Sequence, residues 1–160
     1  MLATIRVREN GSSYELCKLD LMRFSEEQVR DRMAERGFRD ESFFICGISD
    51  WEVDRILELK EAYQLVTVIH ALYDGDEYVV SEMLRKNKTI KDIVFSAYSF
   101  VGKMEDEKEV LKDLLQHEEP ARIVDFWYSQ KTPANMLRYY EDIGYVLLTQ
   151  KGIYKNVSEC

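Results

Sequence analysis

The chain has 160 residues, of which 46% are hydrophobic and 12% aromatic, enough to form one compact domain or a few small lobes. Its 30 acidic and 22 basic side chains give a net charge of −8, which disfavours a DNA-, RNA- or anionic-membrane-binding surface and permits a cationic partner. No apolar run approaches a membrane span, and MLATIRVREN contains no signal-peptide core, so we expect a cytoplasmic protein. The three widely spaced cysteines, Cys17, Cys46 and Cys160, fit reduced thiols.

The first part of the chain predicts a ββαβ arrangement. Residues 2–8 alternate between apolar and polar side chains, Asn10-Gly11 suits a tight turn, and residues 14–21 are extended again, which is typical of a β-hairpin. A Ser-x-x-Gln capping signature then predicts a helix over 25–37. The apolar run at 42–48 predicts a third strand.

The middle of the chain has the periodicity of helices. Apolar side chains recur at helical spacing over 54–72, which predicts one long helix. After the break YDGD, the segment 77–86 and a segment capped by Thr89 predict two more helices. We therefore expect an N-terminal α/β lobe over 1–52 and a helical lobe over 53–102.

The last part mixes helical and extended patterns. Residues 105–117 predict a charged amphipathic helix, and ARIVDFWYS at 121–129 predicts a strand whose aromatic run lies in a sheet core. A helix over 133–143, with Thr and Pro at its start, precedes a closing hairpin. The segment 103–160 thus predicts a C-terminal α/β lobe, and the whole chain predicts an elongated α+β fold.

Catalytic and metal-binding motifs are missing from the sequence. No phosphate-binding glycine loop, nucleophile elbow or zinc motif occurs, so we expect no catalytic residue, no metal site and no cofactor. We interpret His70 as a core histidine and His117 as a favourable charge at a helix end. The acids at 50–54 suit solvated positions at a helix start, and a metal-dependent nuclease is the alternative that remains open.

Acidic side chains group in four places. A solvated charged face and a partner-binding surface both explain these groups. Glu141 and Asp142 oppose the helix dipole at a carboxyl end, which indicates a role other than helix stability. The candidates for partner binding are Asp50, Glu52, Asp54, Glu58 and Glu61 at the entry to the long helix, Asp74, Asp76 and Glu77 at its exit, Glu105, Asp106, Glu107, Glu109, Asp113, Glu118 and Glu119 in and after the charged helix, and Glu141 and Asp142.

Three segments and the order of the lobes resemble the ArdA-type antirestriction proteins of plasmids, conjugative elements and phages. FSEEQVRDRM…ESFFICGISDWE (24–52) resembles the first helix of that family and the strand after it, which ends in acids. ILELKEAYQLVTVIHAL (56–72) resembles the family's central helix, and LRYYEDIGYVLL (137–148) resembles its closing segment. The resemblance implies a small α/β lobe, a helical lobe and a second α/β lobe in an elongated, acidic, cytoplasmic protein.

The resemblance also implies a function. Such a protein inhibits a restriction–modification complex of its bacterial host by DNA mimicry: duplex DNA carries about one negative charge per 1.7 Å of its axis, and carboxylates replace those phosphates in the enzyme's groove. It needs no catalysis and does not itself bind nucleic acid. Two alternatives stay open: an anti-CRISPR-type inhibitor that binds a protein surface of an RNA-guided nuclease, and an adaptor or regulatory protein-interaction domain.

Aromatic residues near the C-terminus predict a homodimer. They offer more aromatic surface than a lobe of this size buries, and aromatic side chains are enriched at interfaces. Pairing is also what the family resemblance implies. The candidates for the dimer interface are Trp127, Tyr128, Tyr139, Tyr140, Tyr145 and Tyr154.

Overall fold

The structure is a computed structural model that describes residues 1–129 and 132–158. Over those residues it contains seven α-helices and two three-stranded antiparallel sheets, so the predicted α+β class is confirmed. The chain divides into two compact units, Met1–Val94 and Phe95–Cys160. Among the described residues, none of the helices has both the length and the apolar character that crossing a bilayer requires.

The elements follow one another along the chain with short connections. The strands are β1 (Leu2–Glu9), β2 (Ser12–Asp20), β3 (Phe43–Ile48), β4 (Tyr98–Gly102), β5 (Val146–Leu148) and β6 (Ile153–Asn156). The helices are α1 (Glu26–Glu35), α2 (Leu59–Tyr73), α3 (Tyr78–Arg85), α4 (Ile90–Phe95), α5 (Glu107–Leu115), α6 (Pro120–Ser129) and α7 (Pro133–Asp142).

The first unit contains the predicted hairpin at its start. Its sheet has the strand order β2-β1-β3, and Asn10 and Gly11 make the turn with φ of 51° and 79°. A left-handed turn of this kind joins two antiparallel strands without opposing their twist, which is why Asn-Gly predicts it. Ala3, Ile5 and Val7 on β1 are almost completely buried, so the alternation in the sequence correctly marks the core face.

Helix α2 begins at Leu59, five residues later than the predicted start at Asp54. The residues before it form bridges with β3 instead, since Val53 pairs with Ile48 and Leu57 pairs with Ile45. These backbone bonds satisfy the same groups that a helix would have used, and the tertiary pairing overrides the helical periodicity.

The two units divide the chain differently from the three predicted lobes. The predicted boundary at 52/53 lies inside the first unit, where the segment before α2 pairs with β3. The predicted boundary at 102/103 separates β4 from α5, although both belong to the second unit. Strand β4 was not predicted, because YSFVG is short and its pairing partner β6 lies about 50 residues further along the chain.

The second unit packs three helices around a sheet with the strand order β4-β6-β5. The predicted closing hairpin is confirmed as β5 and β6, and the predicted cap of α7 is formed, with Thr132 Oγ1 accepting the N–H of Asn135 at 3.2 Å. Leu137 and Tyr140 on α7 are at most 1% exposed. They join α5, α6 and the sheet in one core, whose members are Val110, Leu111, Leu114, Phe126, Leu137, Tyr140, Val146 and Ile153.

The predicted strand over 121–129 is wrong, because these residues form helix α6. Pro120 occupies the first helical position, where its missing N–H is not needed, and the Glu119 carbonyl accepts the N–H groups of Arg122 and Ile123. The aromatic run is not a sheet core either. Phe126 is 4% exposed, whereas Trp127 and Tyr128, the next two residues, are 74% and 75% exposed.

The two histidines and the two described cysteines lie in different parts of the fold. His70 is exposed on α2 rather than buried in the core as predicted, because it falls on the solvent side of the helix near Thr67. His117 is exposed just after α5. Cys17 and Cys46 are free thiols, and Cys160 lies outside the described residues.

Candidate protein-binding surface

Two of the acids predicted to bind a partner contact the amino group of Met1. Its nitrogen lies 2.6 Å from Glu77 Oε1 and 3.0 Å from Asp50 Oδ2. Asp50 Oδ1 also accepts the N–H of Leu2 at 2.7 Å, which ties the loop after β3 to the start of β1. These two carboxylates therefore have structural partners within the first unit.

The acids around α2 form local contacts or face solvent. Glu61 Oε1 accepts the N–H of Glu58 at 3.0 Å, which closes the first turn of the helix. Asp76 Oδ1 accepts the N–H of Tyr78 at 2.9 Å, at the entry to α3. The remaining acids of this part are exposed and lie in turns or at helix ends: Glu52, Asp54, Glu58 and Asp74.

The second unit brings three predicted acids together around one cavity. Asp106, Glu109 and Asp113 line a cavity of about 380 Å³ at the side of α5. Its apolar floor consists of side chains from β4, α5 and β5. We call this site the acidic groove and define it by Asp106, Glu109 and Asp113 with the floor residues Val101, Val110, Leu114 and Val146.

The local sequence explains why these acids share a face. Glu109 and Asp113 are four residues apart on α5, so they lie on one face of the helix, with Cβ atoms about 5–6 Å apart. Asp106 lies in the turn just before the helix, three residues before Glu109. Asp106 Oδ2 accepts the N–H of Lys103 at 3.1 Å and fixes the turn that leads into α5. At Gly102 an added Cβ would lie 3.2 Å from both Asp106 Cβ and Val110 Cγ2, so glycine lets β4 approach the helix closely.

Two lysines partly offset the charge of the groove. Lys155 Nζ on β6 lies 3.8 Å from Asp113 Oδ2, and Lys112 Nζ lies 2.9 Å from Glu109 Oε1. Both pairs are exposed, and exposed ion pairs are easily exchanged for other partners because each contributes only about 0–1 kcal/mol. The groove therefore remains open to a cationic partner.

The other acids of this part of the chain lie outside the groove. Glu105 and Glu119 are exposed and Glu107 is half-buried. Glu118 has a structural role, since its carboxylate accepts a hydrogen bond from the Tyr140 hydroxyl at 2.9 Å and pairs with Arg122 Nε at 3.3 Å. Burial and the bond to Glu118 raise the pKa of Tyr140, so its hydroxyl stays a donor.

The segment Tyr139–Asp142 is mainly a structural fragment. Tyr140 is buried in the core, and the half-buried Tyr139 packs edge-on against Phe126 with ring centroids 4.9 Å apart. Glu141 Oε2 accepts the N–H of Leu148 at 2.7 Å, whereas Asp142 is exposed. The hydrogen bond from Leu148 gives Glu141 a role in spite of the unfavourable helix dipole.

The six aromatic candidates for a dimer interface differ in exposure, and Tyr139 is half-buried against Phe126. Tyr140 and Tyr154 are 1% and 3% exposed and have no surface to offer. Trp127, Tyr128 and Tyr145 are more than half exposed. On α6 the exposed aromatic pair continues with two aliphatic side chains one turn earlier, and we call this set the α6 apolar face: Ile123, Val124, Trp127 and Tyr128.

Sequence reasoning missed strand β4, and it did not show that the predicted strand β6 lies beside the acidic groove. Val101 comes from the unpredicted strand β4, and Lys155 reaches the groove only through the pairing of β6 with β4 and β5. A signal for Lys155 was present, because it belongs to the predicted strand run IYKNV at 153–157, but no local pattern indicates which helix it faces.

Within residues 1–129 and 132–158, no three side chains of His, Cys, Asp or Glu come together in an arrangement that could hold a metal ion. Comparison with known proteins gives no matching family, no matching curated protein and no matching solved structure.

Proposed function

We propose that this protein is a non-enzymatic inhibitor of a nucleic-acid-directed defence enzyme in the bacterial cytoplasm. It binds the enzyme's DNA-binding surface through the acidic groove and displaces the nucleic acid. A restriction–modification complex is the target class, and the protein itself binds no nucleic acid because a net charge of −8 repels phosphate.

The acidic groove is the observation that carries the proposal. An enzyme that holds DNA presents lysine and arginine side chains, each with an aliphatic stem and a cationic head. The groove offers the matching pair of environments, an apolar floor beside three exposed carboxylates. Carboxylates in a row with this spacing resemble a phosphate backbone to such side chains.

The order of the elements also supports the proposal. A three-stranded sheet with one helix, a run of three helices, and a second three-stranded sheet with three helices follow one another along the chain. This is the order of lobes that the resemblance to the ArdA-type antirestriction proteins implies.

The α6 apolar face favours a second candidate function, an adaptor that binds a partner protein by apolar contact. Trp127 and Tyr128 are the two most exposed aromatic side chains of this helix, and aromatic residues dominate the energetics of protein interfaces. The two functions differ in how binding to the partner depends on salt. Salt screens the attraction between carboxylates and cations, whereas it has little effect on apolar contact.

The test compares two triple variants that change the net charge equally. Asp106→Asn/Glu109→Gln/Asp113→Asn neutralises the groove, and Glu27→Gln/Asp31→Asn/Glu35→Gln neutralises three exposed acids on α1. Inhibition of DNA cleavage is measured for a panel of purified restriction–modification complexes and RNA-guided nucleases at low and high salt. We expect the groove variant to lose at least about tenfold in inhibition at low salt, and the α1 variant to lose little.

Three outcomes contradict the proposal. The wild-type protein inhibits no enzyme of the panel, both variants lose inhibition equally, or the groove variant inhibits as well as the wild type. Far-UV circular dichroism checks that each variant is folded. Inhibition that depends on Trp127 and Tyr128 and is insensitive to salt would mean that the protein inhibits through the α6 apolar face and not through the groove.

A further inference from the structure

A small cavity in the first unit has a charge opposite to that of the whole protein. It has a volume of about 180 Å³ and lies between strand β2 and helix α1. Leu19, Val29 and Met33 are among its apolar lining residues. Three cations also line it: Lys18, Arg32 and Arg36.

These cations have no acidic partner in the described part of the chain. All three side chains are exposed, and none of them takes part in an ion pair there. Arg30, on the same helix, differs because it pairs with Glu26 and Asp40. Arg32 lies over the ring of Phe24, 5.8 Å from its centroid, so its charge has an aromatic contact but no carboxylate. Three cations without an ion pair around one cavity are unusual in a chain where acids outnumber bases by 30 to 22.

The cavity lies at the open edge of a sheet. Strand β2 is outermost in the order β2-β1-β3 and pairs only with β1 among the described strands. Its outer N–H and C=O groups therefore form a free edge, to which another strand can add.

The core face of the sheet is incompletely covered at this edge. Cys17 and Leu19 pair with Ile5 and Ala3, so they share the core face of the sheet, yet they are half-buried whereas their partners on β1 are 0% exposed. Burial raises the pKa of the Cys17 thiol, which makes it a neutral part of the wall at physiological pH. Cys17 and Leu19 thus keep part of their surface open at the edge, where they line the cavity together with Val29 and Met33 of α1.

We propose that the β2 edge and its cavity bind an extended acidic peptide segment of a partner protein, which adds to the sheet as a fourth strand. The peptide backbone bonds to the outer edge of β2, and one apolar side chain enters the cavity. Side chains alternate between the two faces of a strand, so carboxylates two residues before and after the apolar side chain contact Arg32 and Arg36 on α1. A carboxylate on the opposite face contacts Lys18, which pairs with Thr4 and alternates with Cys17 and Leu19. This site is independent of the acidic groove and of the proposed inhibition, so either can fail without the other.

The size of the cavity favours a peptide over a small molecule. A pocket for a drug-sized ligand has about 300–1,000 Å³, whereas 180 Å³ accommodates about one side chain. The pairing of β2 with β1 shifts its register between Ile5 and Arg6, opposite Leu16, and a bulge of this kind interrupts regular pairing. The added strand is therefore short and pairs with Cys17–Leu19.

The experiment uses the full chain and a blocked seven-residue peptide with valine at its centre, glutamate at the two positions on each side of the valine, and threonine at both ends, so that each face of the strand carries carboxylates. Fluorescence anisotropy of the labelled peptide gives the dissociation constant, and two-dimensional NMR follows the backbone amides. We expect binding with shifts at the amides of Cys17, Lys18 and Leu19. Arg32→Gln/Arg36→Gln should weaken binding at least about tenfold, since two charge-assisted contacts are lost.

Four controls separate strand addition from other modes of binding. Lys91→Gln/Lys108→Gln, which removes the same charge from exposed sites on α4 and α5, should change the affinity less than about twofold. The same peptide with lysine in place of every glutamate should not bind. An N-methylated version of the acidic peptide should bind much more weakly because it lacks the N–H donors of a strand. Hexanoate, which tests a small-anion site, should not compete.

The proposal is overturned by absence of binding up to about 1 mM peptide. It is also overturned if the N-methylated peptide binds as tightly as the unmodified one, if hexanoate displaces the peptide, or if both double variants weaken binding equally.

Discussion

Glu141 and Asp142 are adjacent carboxylates at the end of α7, and their surroundings differ. Glu141 Oε2 accepts the N–H of Leu148, the last residue of β5, and so connects the helix to the sheet across the turn at Gly144. Asp142 is exposed. The sequence showed that both acids oppose the helix dipole, but the partner of Glu141 depends on the left-handed turn at Gly144, whose φ is 84°. Only the folded turn brings Leu148 within reach.

Because of these different surroundings, we expect substitutions of Glu141 and Asp142 to differ in their effect on stability. Glu141→Ala leaves the N–H of Leu148 without its acceptor, and we expect a cost of about 1–3 kcal/mol in the free energy of unfolding. Asp142→Ala removes an exposed charge that opposes the helix dipole, so its effect should stay within about 0.5 kcal/mol. Urea unfolding followed by far-UV circular dichroism measures both. Equal effects of the two substitutions would show that the bond from Leu148 contributes nothing.

For helix α6, the apolar pattern of the sequence predicts the wrong secondary structure. Its segment ARIVDFWYS is rich in β-branched and aromatic residues, which favour strands, and its apolar positions are nearly continuous. The helix leaves several of these side chains in solvent, so its burial does not follow the apolar pattern that the prediction used. The hairpin β1–β2 was predictable because its alternation and its Asn-Gly turn both indicate the same structure.

Substitutions at two adjacent positions on α6 should therefore differ strongly in their effect on stability. Phe126→Ala removes a buried ring that packs against Tyr139 and Tyr140, and we expect a cost of about 3–5 kcal/mol. Trp127→Ala changes a side chain that is 74% exposed and should alter the stability of the monomer by less than about 0.5 kcal/mol. Urea unfolding at low protein concentration is the measurement. A large loss for Trp127→Ala there would contradict the packing of α6.

At the scale of the whole molecule, the sequence predicts the class and most elements of the fold but not how they join. The α+β class, both hairpins and the capped helices follow from local patterns. The two-unit division depends on bridges between Val53 and Ile48 and on the pairing of β4 with β6, and both join residues through tertiary contact. For the same reason the sequence identified the acids of the groove individually and not which three share a cavity. Asp106, Glu109 and Asp113 meet there because β4 and β6 place Val101 and Lys155 beside α5.

The α6 apolar face leads to the last prediction, a homodimer of the whole chain. The four side chains of this face are 39–75% exposed, and the most exposed of them are Trp127 and Tyr128. Burying such a face against its own copy removes apolar area from water, about 25 cal/mol per Å², and a two-fold arrangement makes one patch sufficient for both subunits. Tyr140 and Tyr154 play no part, because they are already buried.

Light scattering tests the dimer at high micromolar concentration. We expect a dimer for the wild type and a monomer for Trp127→Ala/Tyr128→Ala, since aromatic anchors carry most of the binding energy of an interface. Tyr14→Ala/Tyr78→Ala removes two aromatic side chains that are 42% exposed in the first unit, and this control should remain a dimer. A monomeric wild type would exclude self-association through α6, and the face would then be available for the partner that an adaptor requires. Dissociation of both double variants would instead mean that loss of aromatic surface in general, and not this face, weakens the dimer.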